Sequence, residues 1–166
     1  MSRPLLITDC DEVLLHMLAH FTEWLAEDRR IHFDMDSGQF AEALTDLATG
    51  EPLPHERIWP LLDDFFRTEM HRQTLVPGAY EALERIGAVA DIVILTNIGN
   101  EAHGWRVEQL AGHGIEHELI CNQGGKGPAV AEIVARPPPS GRVVVDVLKL
   151  LAYDVAGMVS SSAPPA

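Results

Sequence analysis

The 166-residue chain is short of cysteine, of positive charge and of long uninterrupted apolar runs, and each shortage excludes something. Its two cysteines, Cys10 and Cys121, cannot build a disulfide framework and suit a reducing compartment. Twelve Lys and Arg face 25 Asp and Glu, a net charge of −13 with a pI near 4.8. That balance repels phosphodiester backbones and anionic membrane surfaces, so nucleic acid and membrane are set aside as partners. Charges or prolines interrupt every apolar run before the roughly 20 residues that a bilayer span needs. Residues 1–6 lack the apolar stretch and small-residue cleavage site of a signal peptide, so a cytoplasmic protein is expected. No internal repeat is present. What remains, 46% hydrophobic and 22% charged residues, is the composition of a globular protein with one core and room for a small insertion.

Four short apolar runs read as strands buried on both faces, because none alternates strictly with polar residues. They are Pro4-Leu5-Leu6-Ile7-Thr8, ending at Asp9; Ala90-Asp91-Ile92-Val93-Ile94-Leu95, ending at Thr96 and Asn97; His117-Glu118-Leu119-Ile120-Cys121; and Arg142-Val143-Val144-Val145, ending at Asp146. Helical patterns lie between them. Pro77 and Gly78 open one with Ala79, Leu83 and Ile86 at helical spacing, and Gly87 closes it. Residues 101–111 place Val107, Leu110 and Ala111 on one face, and residues 127–136 do the same with Val130, Ile133 and Val134. Strand alternating with helix predicts an α/β fold, a Rossmann-like doubly wound parallel sheet with right-handed crossovers.

The interval between the first strand and Pro77 breaks this rhythm, with no convincing strand and three helical patterns over 13–28, 37–47 and 55–70. In the last, Ile58, Leu61, Leu62, Phe65 and Phe66 make one apolar face. A helical insertion after the first strand is expected above the carboxyl ends of the strands, where ligands bind in open α/β sheets. The organisation expected is a core over 1–13 and 76–159, a small α-helical cap over 14–75 and a disordered Ser/Ala/Pro tail over 160–166.

The ends of the strands carry a resemblance. Ile7-Thr8-Asp9-Cys10-Asp11-Glu12-Val13 is similar to the first motif of the haloacid dehalogenase-like (HAD) hydrolase superfamily, an apolar strand followed by Asp-x-Asp-x-Val. Ile92-Val93-Ile94-Leu95-Thr96-Asn97 resembles its second motif, Lys126 in Gly124-Gly125-Lys126-Gly127-Pro128 its third, and Asp146 the first acid of its fourth. The four stand in order over residues 4–146, and the insertion corresponds to the superfamily's cap. A lone Asp-x-Asp is weak; four ordered matches are specific.

The resemblance implies a Mg²⁺-dependent phosphomonoester hydrolase acting on a small phosphorylated metabolite. Asp9 would attack phosphorus and form an aspartyl-phosphate, splitting one hard displacement into two easier ones. Asp11 would protonate the leaving alcohol and then activate water. Thr96, with Asn97, would bind the phosphoryl oxygens and Lys126 would neutralise them. Mg²⁺, a hard cation, would take Asp9, the Asp11 carbonyl and Asp146. Halide leaves without a proton, so an acid beside the nucleophile favours a phosphatase over the third reading, a 2-haloacid dehalogenase.

Two departures support an alternative, a catalytically impaired HAD-like protein that only binds or has lost activity. Val147 follows Asp146 where a second acid is usual, and the next Asp is Asp154. After Arg136 only four of thirty residues are charged, Arg142, Asp146, Lys149 and Asp154. A reading-frame change or truncation near Arg136 would account for both.

Several other features have plainer readings. His16 and His20, four apart on one helix face, and His113 and His117 read as packing and surface residues. Asp34-Met35-Asp36-Ser37-Gly38 reads as a turn, since the position six beyond Gly38 is Leu44 where a calcium loop needs an acid. Trp24, Trp59 and Phe65 read as core of the insertion.

Overall fold

The computed structural model describes residues 3–37 and 40–136. The chain divides into two compact units, His16–Thr74 and the residues on either side of it.

The flanking unit is built on a parallel sheet of three strands, β1 (Leu5–Thr8), β4 (Asp91–Thr96) and β5 (Glu118–Cys121), in the order β1-β4-β5. Leu5 pairs with Asp91 and Thr8 with Ile94, while Val93 pairs with Glu118 and Thr96 with Cys121. Helices α3 (Ala79–Gly87), α4 (His103–Gly112) and α5 (Gly127–Ala135) follow the strand rhythm. Successive strand residues point to opposite faces, and both faces are covered. Leu6, Ile92, Ile94 and Leu119 pack with Leu83 of α3 and Leu110 of α4. Leu5, Ile7, Val93 and Leu95 pack with Ile133 of α5. This two-sided burial is why the strands read as unbroken apolar runs, and the α/β class follows from it. The run ending at Asp146 and the tail lie outside the described residues.

The unit His16–Thr74 contains α1 (Leu18–Trp24), prolonged by a π turn over Leu25–Arg29, and α2 (Ile58–Thr68). The helical readings need two corrections here. Residues 13–17 are not helical, because Leu15 bridges to Leu75 and the helix starts only at Leu18. Nor is 37–47 a helix. It holds a 3₁₀ turn, Phe40–Glu42, and a strand, β3 (Leu44–Asp46), antiparallel to β2 (Ile31–Phe33). Phe40 and Leu44 have helical spacing, but Leu44 is drawn into pairing with Phe33 while Phe40 sets its ring 5.3 Å from that of Phe33. Tertiary packing thus overrides the local pattern. Phe21, Trp24 and Phe65 are fully buried at the centre, with the Phe21 and Phe65 rings edge to face at 5.3 Å. His20 joins Glu23 and Thr74 through its two ring nitrogens, at 3.2 and 3.1 Å. Among the described residues no helix is long and apolar enough to cross a membrane.

Candidate active site

Asp9 stands one residue past the carboxyl end of β1. The chain turns immediately after it: the N–H groups of Leu14 and Leu15 donate to the Cys10 carbonyl at 2.7 and 3.0 Å, and Glu12 takes a left-handed conformation with φ 57°. This tight loop points the Asp9 and Asp11 side chains to different partners.

The Asp9 Oδ1 accepts the Cys10 N–H at 2.7 Å, and its Oδ2 is paired with the Lys126 ammonium. Lys126 caps the start of α5, so the second contact joins residues 117 positions apart. Burial raises the Asp9 carboxyl above its ordinary value, outweighing the Lys126 charge and the two hydrogen bonds that favour the ionised form, and the nearby Asp11 adds to the rise.

Asp11 is held differently. The Arg106 Nη2 donates to both of its oxygens, at 2.9 and 3.2 Å, and the fully buried Thr96 hydroxyl donates to its Oδ2 at 3.3 Å. The other guanidinium nitrogen, Nη1, reaches Gln109 Oε1 at 3.2 Å and Cys10 Sγ at 3.5 Å. Arg106 has no exposed surface. Burial works against its charge, but Asp11 and its neighbours more than compensate and keep the guanidinium firmly protonated. Cys10 is equally buried, which pushes its thiol up to about 12.

Asn97 ties the end of β4 to the loop that leads to Lys126. Its Nδ2 donates to the Gly124 carbonyl at 3.2 Å, and its Oδ1 accepts from Asn122 Nδ2 at 2.7 Å. Asn122 Nδ2 also reaches the Gly124 carbonyl at 3.0 Å, and the Asn122 N–H donates to the Thr96 carbonyl at 2.8 Å. Gly124 sits at φ +84°, where a residue without Cβ is favoured.

Five of the residues singled out in the sequence therefore join one connected cluster: Asp9 with Lys126, Asp11 with Thr96, and Asn97 on the Lys126 loop. Two of them are turned otherwise than expected. Thr96 spends its hydroxyl on Asp11, and Asn97 spends its amide on the loop. Asp146 lies outside the described residues.

Arg106 escaped the sequence reading. The expected face of α4, Val107, Leu110 and Ala111, is out of phase by one residue, since Val107 is 41% exposed while Ala102, Arg106 and Leu110 are buried. Those three recur at i, i+4 and i+8, and the signal was there to be found: an arginine in line with the buried Leu110 needs a buried anion.

No group of three His, Cys, Asp or Glu suited to a metal occurs among the described residues. The two acids present already face cations, Lys126 on Asp9 and Arg106 on Asp11. As they stand, these residues do not form a divalent-cation cage.

No protein-family model and no curated protein matches the chain. Among solved structures, it is similar to a haloacid dehalogenase-like family hydrolase from Xanthomonas campestris, at 16% identity and TM-score 0.45, over 80% of this chain and 68% of that one. It is also similar to a hydrolase from Streptococcus pneumoniae, at 19% identity and TM-score 0.46, over 81% of this chain and 76% of that one.

Proposed function

We propose that the chain is a HAD-like hydrolase that moves the phosphoryl group of a small phosphomonoester first to Asp9 and then to water. The observation that carries this reading is the placement of Asp9: at the carboxyl end of a central-sheet strand, with an ammonium from a helix start on its Oδ2 and a second carboxylate two residues on. A carboxylate is a competent nucleophile toward phosphorus when a cation neutralises the phosphoryl oxygens.

In the first step an Asp9 oxygen forms a bond to phosphorus as the bond to the leaving oxygen breaks. Lys126 transfers its ammonium from Asp9 to the phosphoryl oxygens, so the charge that stabilises the resting carboxylate then stabilises the transferring group. An aryl oxygen departs as a stable anion; an alkyl oxygen needs a proton, which Asp11 can give only after taking one up. In the second step Asp11, in the carboxylate form that Arg106 pairs with, accepts a proton from water. The resulting hydroxide attacks phosphorus, the bond to Asp9 breaks, and phosphate and free Asp9 result.

The test is release of p-nitrophenol and phosphate from p-nitrophenyl phosphate. Activity lost in Asp9→Asn supports the reading; an Asp9→Asn protein as active as the parent rejects it. One observation favours a second reading, haloacid dehalogenation. Both Asp11 oxygens face donors, Arg106 and Thr96, and halide departs without a proton. Chloride release from a 2-chloroalkanoate, without phosphate release, would establish that reading in place of the first.

A further inference from the structure

The buried guanidinium on α4 touches no reacting atom in the chemistry above, yet it is bonded to the loop that carries both carboxylates. We infer that Arg106 is a positioning residue that fixes the Asp11 carboxylate for the water-activating step, with Gln109 as its strut.

A guanidinium with no exposed surface loses most of its hydration, and such a charge survives only against a well-placed anion. A surface arginine would stabilise the helix without that penalty. Here Nη2 lies against both Asp11 oxygens at 2.9 and 3.2 Å, and a second donor is needed to fix the carboxylate plane as well as its distance. The guanidinium is itself held from the far side, because Nη1 reaches Gln109 one helical turn on and Cys10 in the loop. Thr96 is that second donor, reaching Oδ2 at 3.3 Å from the end of β4. Elements β4 and α4 thus converge on one carboxyl group carried by the loop after β1, while among the described residues the side chain that bonds Asp9 is Lys126. A carboxylate held by donors from two different elements is preorganised for a task that depends on orientation, as proton abstraction from a water in line with phosphorus does.

This inference takes its kinetic consequence from the hydrolase reading above, and its test is arranged to separate the two. The variants are Arg106→Lys, which keeps the charge but loses the planar fork, and Gln109→Leu, which leaves Arg106 in place and removes its strut. The first readout needs no activity: the side-chain carboxyl resonance of Asp11 in protein carrying ¹³C-labelled aspartate, assigned by its disappearance in Asp11→Asn. One sharp line is expected in the parent, and a shifted, broadened or doubled line in both variants. An unchanged line in a folded Arg106→Lys protein overturns the inference, and if that variant fails to fold Gln109→Leu decides on the same criterion. The second readout is the split between kcat and kcat/KM on p-nitrophenyl phosphate. Slowing only the second step lowers kcat by about tenfold or more while kcat/KM stays within about threefold. Parallel loss of both marks a merely structural arginine and overturns the inference. If the parent hydrolyses no phosphate ester, the hydrolase reading falls and the resonance alone judges Arg106.

Discussion

At the scale of single residues the site is a set of charges placed against their solvation. Asp9 has a folded-state value raised above the ordinary 3.8, chiefly by burial. The native protein therefore binds the Asp9 proton more readily than the unfolded chain. Its contribution favours folding at low pH and is lost as pH rises from the unfolded value through the raised one. Relative to Asp9→Asn, the parent should become less stable across that window, a trend that urea titrations at several pH values will show or refute. The same substitution should reduce phosphate-ester hydrolysis by about 10³-fold or more, since an amide is a poor nucleophile. Cys10 makes a converse prediction. With its thiol pushed up to about 12 and no exposed surface, it should resist iodoacetamide in the folded protein at pH 8, reacting only as fast as the protein unfolds, while half-buried Cys121 reacts first. Rapid labelling of Cys10 under native conditions would show that the loop opens.

At the scale of elements, the two-sided sheet and the loop before α5 make separate demands. Ile94 lies at the centre of β4, pairs with Thr8 on one side and Leu119 on the other, and has no exposed surface. Ile94→Ala should cost about 2–5 kcal/mol in urea unfolding, the usual range for a large side chain deleted from a core that collapses poorly. Gly124 is held at φ +84° with open space around a Cβ, so Gly124→Ala is strained by conformation and not by collision. About 1–2 kcal/mol is the expected cost of that conformation for an L residue. Because Asn97 and Asn122 both bond its carbonyl, the strain should pass to Lys126 and weaken substrate binding more than it weakens the fold. A rise in KM larger than the stability loss can explain is the expected signature.

At the scale of the whole molecule, a chain of net charge −13 attracts divalent cations, yet its candidate site has balanced its own acids with Lys126 and Arg106. A magnesium ion on Asp9, which the resemblance implies, would have to compete with Lys126. Any Mg²⁺-dependent activity should then keep rising to roughly millimolar metal, and Lys126→Met should lower the concentration needed while lowering the maximal rate. Saturation at micromolar metal in the parent would show that Asp9 is not shared in this way.

The sequence by itself determined the α/β rhythm and the locations of five cluster residues. Unbroken β-branched runs are favoured only where both sheet faces are covered, and a carboxylate or threonine at a strand end marks where such a sheet presents its chemistry. It also located Trp24 and Phe65 in the aromatic core of residues 16–74, whereas Trp59, read with them, is only partly buried and Phe21 went unread. Only tertiary structure decided the rest. The antiparallel pair β2–β3 replaced a helix because Phe33 and Leu44, eleven positions apart, fall opposite each other while the Asp34 N–H finds the Ala43 carbonyl. Thr96 turned to Asp11, Asn97 turned to Gly124, and α4 rotated by one residue to bury Arg106 in place of Val107. Each of these choices depends on a partner far away along the chain, and a local pattern of apolar and polar residues holds no information about which distant charge a buried charge will meet.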